Sequence, residues 1–267
     1  MIMQMLAFYS RIYLLIVSQY IKSRLQYRAD FIISGVGMFF TSLATIWVFW
    51  VLFHSVPQLA GWKFEEIIFI YAFYSLAVVP MQIFFDNLWS LRFHVVEGSF
   101  IKYYLKPLNI MFYYVSDVFD IKGLVQLALG IVALVYASNQ LNLQWDIWKL
   151  LLLAVSLFSA SLVTISILTI AASAAFWVVG SYPVLALAFK VREFAQYPTS
   201  IFDGFFRFLF TYLIPIGFMA FYPAQLFLRP GEAVWLAYAS PAVGVAAFAL
   251  AYVVWSKGVN YYGGTGS

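Results

Sequence analysis

Charged residues are spaced along the chain so that six stretches carry none: residues 31–62, 67–85, 123–145, 150–189, 208–228 and 233–256. The shortest has 19 residues. A helix rising about 1.5 Å per residue needs about 20 apolar residues to cross a hydrocarbon core of about 30 Å. Runs such as IWVFWVLF (46–53) and LLLAVSLF (151–158) are apolar on every side, whereas strands of a transmembrane barrel alternate in segments of about 10 residues. In lipid each backbone polar group must be paired within its own segment, so the pattern predicts an all-α polytopic protein.

Residues 5–29 follow a different pattern. Arg11, Ser18, Gln19, Lys22, Ser23 and Gln26 recur at helical spacing on one face, with Tyr13, Val17, Tyr20, Ile21 and Leu25 on the other. This predicts a helix in the interface plane, basic toward the headgroups and aromatic-aliphatic toward the acyl chains. The alternative is an ordinary first helix packed on the bundle. Membrane spans are expected at 31–54, 64–85, 115–136, from 149 onward and at 235–256. A turn is expected at 180–183 (GSYP), and Pro215 and Pro223 break the piece 208–228. Residues 87–112, with Arg92, Lys102 and Lys106, are too polar to cross and too aromatic to float free. The tail 257–267 is short and glycine-rich.

Composition agrees with this pattern. Of 267 residues, 64% are hydrophobic and 10% charged, against about 25% charged in a typical soluble domain. A mean hydropathy of +0.90 also excludes intrinsic disorder, which needs low hydrophobicity and high charge. Cysteine is absent, which removes disulfides, thiol nucleophiles and zinc-thiolate sites. No cleavable leader is expected, because Arg11 and Lys22 interrupt the first apolar stretch.

The net charge of +4 needs no nucleic acid to explain it. With six spans and 176–207 as one cytoplasmic loop, Arg11, Lys22, Arg24, Arg28, Arg92, Lys102, Lys106, Lys122, Lys190, Arg192, Arg207 and Lys257 lie inside, and only Lys63, Lys149 and Arg229 outside. That asymmetry places both termini in the cytoplasm. A seven-span arrangement divides the basic residues almost evenly.

Candidate chemistry is sparse. Asp117 and Asp120 are three apart on the expected third helix and could share a proton in an apolar site. Lys122 beside them makes a solvated or salt-bridged helix start the plainer reading. His54 and His94 sit too far apart to share a metal and read as interfacial residues. Hydrolase patterns and a GxxxxGK[ST] phosphate loop are missing. The fourth span interleaves alanine with serine and threonine, and Ser159, Ser166 and Ser173 repeat every seven residues. They read as close helix packing, or else as a polar conduit.

Five segments in register, YRADF (27–31), VVEGSFIKYYLKPLN (95–109), REFAQYPTSIF (192–202), LIPIGFMAFYPAQ (213–225) and YYGGTGS (261–267), resemble the permease subunit of a type-two ATP-binding-cassette exporter over nearly the whole chain. The resemblance implies six membrane helices after an interfacial connecting helix. It also implies a second permease, identical or related, and separate cassette ATPase subunits that bind ATP and Mg, with no cofactor on this chain. The setting would be a bacterial inner membrane.

A coupling helix would lie within 88–105, with Glu97 and Gly98 at its turn, Lys106 and Pro107 starting the next helix, and Arg92 on its basic side. Exposed Phe100, Tyr103 and Tyr104 would anchor it to the ATPase. A re-entrant helix pair at 204–228 would follow a fifth span starting near Tyr182. Lys190, Arg192, Glu193 and Tyr197 would then lie within the membrane, which is tolerable only facing the interior. Charge counting favours the loop at 176–207, the family pattern favours re-entry, and re-entry is the working expectation. The other function classes are a channel or scaffold without an ATPase and a polytopic lipid-modifying enzyme.

Overall fold

The computed structural model describes residues 2–24, 28–231 and 235–263, with side chains over 7–22, 32–231 and 235–263. Leu25, Gln26, Tyr27 and the last four residues of the tail lie outside that set, and for Ser23 and the rest of the YRADF motif only the backbone is described. The described residues form helices α1 (Ile2–Arg24), α2 (Arg28–Ser55), α3 (Phe64–Phe84), α4 (Leu91–Val96), α5 (Ile110–Ser116), α6 (Gly123–Gln140), α7 (Ile147–Ser173), α8 (Tyr182–Glu193), α9 (Gly204–Phe208), α10 (Phe221–Leu228) and α11 (Trp235–Tyr261), joined by short 3₁₀ turns.

Among the described residues, five helices are long and apolar enough to cross a membrane: Ile32–Ser55, Phe64–Phe84, Gly123–Gln140, Ile147–Phe176 and Trp235–Tyr261. α3 is apolar all round and correspondingly central, with Ile67 through Val79 buried without a break. Lipid tails are as apolar as the side chains, so helices in a membrane are held by close packing and hydrogen bonds rather than by hydrophobicity. α7 and α11 show this directly. A Cβ on Gly244 would come within 2.7 Å of the Ser159 carbonyl oxygen, and the Ser159 hydroxyl donates to the Ser240 carbonyl.

The fifth expected span, near Tyr182, departs from a regular long helix. α8 has only 12 residues, about 18 Å at the helical rise. After it come 3₁₀ turns at Phe194–Gln196 and Thr199–Ile201, α9 capped by the Asp203 side chain, a π-turn at Leu209–Leu213, a break at Pro215 and then α10. Proline and charged residues prevent a continuous helix here; Phe210, Thr211 and Ile216–Met219 are buried, whereas α9 buries none of its side chains.

This irregular run packs at the bundle end that carries the α2–α3 and α6–α7 loops. Trp62 Nε1 donates to Ser200 Oγ at 2.8 Å, Phe227 lies 5.8 Å from Trp145 ring to ring, and Arg229 pairs with Glu66 at 2.9 Å. The chain therefore rises along α8 and stays at the far end, as a re-entrant element requires. A loop spanning 176–207 at the opposite end does not match, because Ser200 and Arg207, bonded to each other at 3.1 Å, sit beside Trp62.

Two further expectations change. The third span starts at Gly123 rather than 115, because the Asp120 side chain accepts the Lys122 backbone N–H at 2.9 Å and turns the chain before the helix begins. Asp117 and Asp120 thus share no helix face. The aromatic side of α1 rests on protein, with Val17 buried and the Tyr9 ring edge-on to Phe112 at 4.8 Å. Arg11, Ser18, Gln19 and Lys22 stay exposed. Leu14 and Leu15, 66% and 57% exposed, are the outward apolar residues, so the packed-helix alternative holds for that face.

Candidate functional site

The segment 86–109 caps one end of the bundle. It runs through a 3₁₀ turn (Asp86–Ser90), α4, a reversal at Glu97 and Gly98, a second 3₁₀ turn (Ser99–Tyr103) and an exposed turn that includes Lys106 and Pro107. Gly98 has φ of 76°, the left-handed region that side chains disfavour and glycine accepts. The next helix begins at Ile110, capped by Asn109, so Lys106 and Pro107 precede it and do not start it.

Phe100 and Tyr103, expected at the surface, are fully buried. Phe100 is ringed by Phe176 at 5.2 Å, Tyr262 at 5.3 Å, Tyr114 at 5.6 Å and Trp255 at 6.3 Å. In a 3₁₀ turn residues i and i+3 eclipse, which sends both rings to the same side, into the bundle. Tyr104 is half-exposed and donates its hydroxyl to the Val259 carbonyl at 2.6 Å. Arg92 donates through Nε to the Val179 carbonyl at 2.9 Å. The outward apolar rim consists instead of Phe93, Val96, Ile101 and Leu105, with Glu97 exposed among them.

Polar contacts lock this end. Asn87 Nδ2 donates to the Tyr114 carbonyl at 2.8 Å, and the Tyr114 hydroxyl donates back to the Asn87 carbonyl at 2.7 Å. Asp117 accepts from the Tyr103 hydroxyl at 2.7 Å and pairs with Lys102 at 2.9 Å. Its role is therefore a structural ion pair. Burial, reinforced by Asp117, pushes the Tyr103 phenol far up and keeps it a donor. His94 lies inside this cluster, its ring 5.8 Å from Tyr114. Burial and then the Lys102 charge lower its pKa from the ordinary 6.5. His54 instead stacks on Trp50 at 5.3 Å. Asn87 was not legible in the sequence, because its partner is 27 residues away.

A second feature lies between α2, α3, α6 and α8: a cavity of about 660 Å³ lined by Thr41, Tyr74, Gln126, Lys190, Arg192 and Glu193 among others. Lys190 pairs with Glu193 at 3.3 Å. The Arg192 guanidinium lies over the Phe189 ring at 4.9 Å. Of the residues assigned to an interior polar path, these three line the cavity. Tyr197 packs on Phe49 at 5.5 Å instead. Ser159, Ser166 and Ser173 are buried in α7, each bonded to a backbone carbonyl, and none of them lines this cavity.

Among the described residues no cluster of His, Asp or Glu could hold a metal ion. What remains is a polar cavity within a bundle of membrane helices, joined to a rigid cap at one end, an arrangement suited to moving or holding a ligand. Residues 39–266 match the model of a family described as ABC-2 family transporter protein. No curated protein and no solved structure matches the chain. With the family match running from within α2 through the four later apolar helices and the irregular segment between α7 and α11, this multi-pass membrane protein belongs to the ABC-2 transporter family.

Proposed function

We propose that the chain is the permease subunit of an ATP-driven exporter. Two such permeases, identical or related, enclose the pathway, and separate cassette ATPases bind the 86–109 end. That end and both termini face the cytoplasm of a bacterial inner membrane. ATP and Mg are bound by the ATPase, and this chain binds no cofactor. α2 supports a second permease, since most of its membrane stretch is uncovered, with Phe40 and Trp47 exposed.

The observation that carries the reading is the build of the cap. Its inner side is keyed by Phe100 and Tyr103 into the cluster of Tyr114 on α5, Leu168 on α7 and Trp255 on α11, while Phe93, Val96, Glu97, Ile101 and Leu105 face outward. A rigid lever with an apolar rim can pass ATPase motion into the helices. ATP drives the change only through different affinities for the two states. Gly98→Val puts a branched side chain into a left-handed conformation at about 1–2 kcal/mol, and Glu97→Lys reverses the rim charge. Both are expected to leave the spans folded and to reduce cassette ATPase copurified per permease. Wild-type copurification with both variants would remove Glu97 and Gly98 from the contact.

The absence of cysteine makes orientation directly testable. Asp203→Cys, exposed in the re-entrant run, is expected to react with a membrane-impermeant maleimide in intact cells, and Ser99→Cys only after permeabilisation. The reverse pattern would invert the protein in the membrane.

A further inference from the structure

Arg192, next to the last residue of α8, lies beside the Tyr74 hydroxyl and 4.0 Å from the Met81 sulfur, both on the apolar helix α3 at the depth of its candidate span Phe64–Phe84. A guanidinium stays charged at any accessible pH, and a charge at this depth is expensive unless paired. Among the described residues no carboxylate pairs with it. Glu193, the one acidic residue in the cavity wall, bonds to Lys190. Arg192 Nε is buried without a hydrogen-bond partner. The wall thus holds two cations against one anion, and the cation with no carboxylate partner meets only the Tyr74 hydroxyl, the Met81 sulfur and the Phe189 ring, with its Nε donor unspent.

Of the other polar groups in the wall, Gln82 Oε1 is buried without a partner, while three more are occupied. Thr41 and Thr45 bond to carbonyls of their own helix, and Gln126 bonds to Ser75. The volume of about 660 Å³ far exceeds a single small anion, since one water occupies about 30 Å³ in the liquid. On α2 the cavity-lining Gly37 and Thr41 adjoin Val36 and Phe40, which are 49% and 62% exposed toward the surroundings of the bundle. A headgroup held in the cavity would have its chains beside that apolar face.

We infer that the cavity binds the anionic headgroup, phosphate or carboxylate, of a lipid-like amphiphile, with Arg192 as the anion anchor. This rests on the permease reading and names the substrate class of its pathway. A guanidinium meets two oxygens of such a headgroup through parallel N–H donors. Lys190, at the exposed end of the wall, adds charge at the entrance.

The test uses the full chain in phosphatidylcholine nanodiscs, a photoactivatable phosphatidylglycerol as probe, a photoactivatable phosphatidylcholine as the neutral control, and glycerol phosphate as the soluble competitor. Phosphatidylglycerol is expected to crosslink to the cavity wall in preference to phosphatidylcholine. Arg192→Gln should weaken it by about tenfold or more, the loss of a charge-assisted contact, and Arg192→Lys, which keeps the charge but not the two parallel donors, should fall between Arg192→Gln and wild type. Gly37→Leu keeps every charge but projects into open space in the cavity, and it should block the probe as well.

Equal labelling by both lipids, or full labelling of Arg192→Gln together with Gly37→Leu, would overturn the inference. Complete competition by glycerol phosphate would assign the cavity to a soluble anion and overturn the amphiphile. The readout needs no ATPase, so loss of headgroup selectivity in a chain that still assembles with a cassette subunit would leave the permease reading standing. Selectivity without assembly would do the opposite.

Discussion

Phe100→Ala is expected to release the 86–109 cap from the bundle. The ring is fully buried among Phe176, Tyr262, Tyr114 and Trp255, and truncating a buried phenylalanine costs about 3–5 kcal/mol in lost contacts and residual cavity. The hydrogen bonds of Tyr103, Asn87 and Tyr104 leave the cap partly tethered, so the damage should stay local. Amide hydrogen exchange across 86–104 in detergent should accelerate by about two to three orders of magnitude, at about 1.4 kcal/mol per tenfold, with α7 little changed. Ile101→Ala, one residue along and half-exposed, should stay within about 0.5 kcal/mol of wild type. Equal protection in the two variants would show that Phe100 does not hold the cap.

At the other end, the ion pair between Glu66 and Arg229 should show the second large effect. Glu66 is buried, accepts the Lys63 backbone N–H at 2.8 Å and takes both Arg229 contacts at 2.9 Å. Arg229 also donates to the Gly61 carbonyl at 2.6 Å and lies over the Trp62 ring at 3.8 Å. It therefore clips the end of the irregular run after α8 to the α2–α3 loop. Arg229→Met strands a buried carboxylate, and the expected cost is about 3 kcal/mol, the lower end for a broken buried pair because Arg229 keeps some solvent contact. Adding Glu66→Gln should recover most of the loss. Thermal unfolding of both single variants and the double variant gives the coupling energy. Additive single effects would mean that the clip does not exist.

The long helices were legible because each is a run of apolar residues between charges, a signal that depends on length rather than on contacts. Their ends were less so. Asp120 delays α6 to Gly123 through one side-chain bond to the Lys122 backbone, which composition does not reveal. The position of the cap followed from its mixed polarity and from the resemblance. Its orientation did not, because reading Phe100 and Tyr103 as surface anchors assumed an exposed amphipathic helix, and the 3₁₀ turn puts both rings inside.

Lys190, Arg192 and Glu193 stood out as charges in an apolar region. Their cavity could not be foreseen, since the polar part of its α2 wall is only Thr41, Ser42 and Thr45, scattered in a largely apolar helix. The asparagine–tyrosine exchange between Asn87 and Tyr114 has no local signature either. The cavity and the cap lie on helices that share α3 and α8 as neighbours, with Trp89 of the cap 4.8 Å from Phe189 and Arg192 over that same ring. This continuous contact gives motion at the cap a physical route to the cavity.

The most direct measurement is ATP hydrolysis by the purified chain, alone and after assembly with a cassette subunit that copurifies from native membranes. The chain has no phosphate loop, so it should show no sustained hydrolysis alone and should gain activity only in the complex. Sustained hydrolysis by the chain alone, or its isolation from native membranes without any ATPase partner, would contradict an ATP-driven permease.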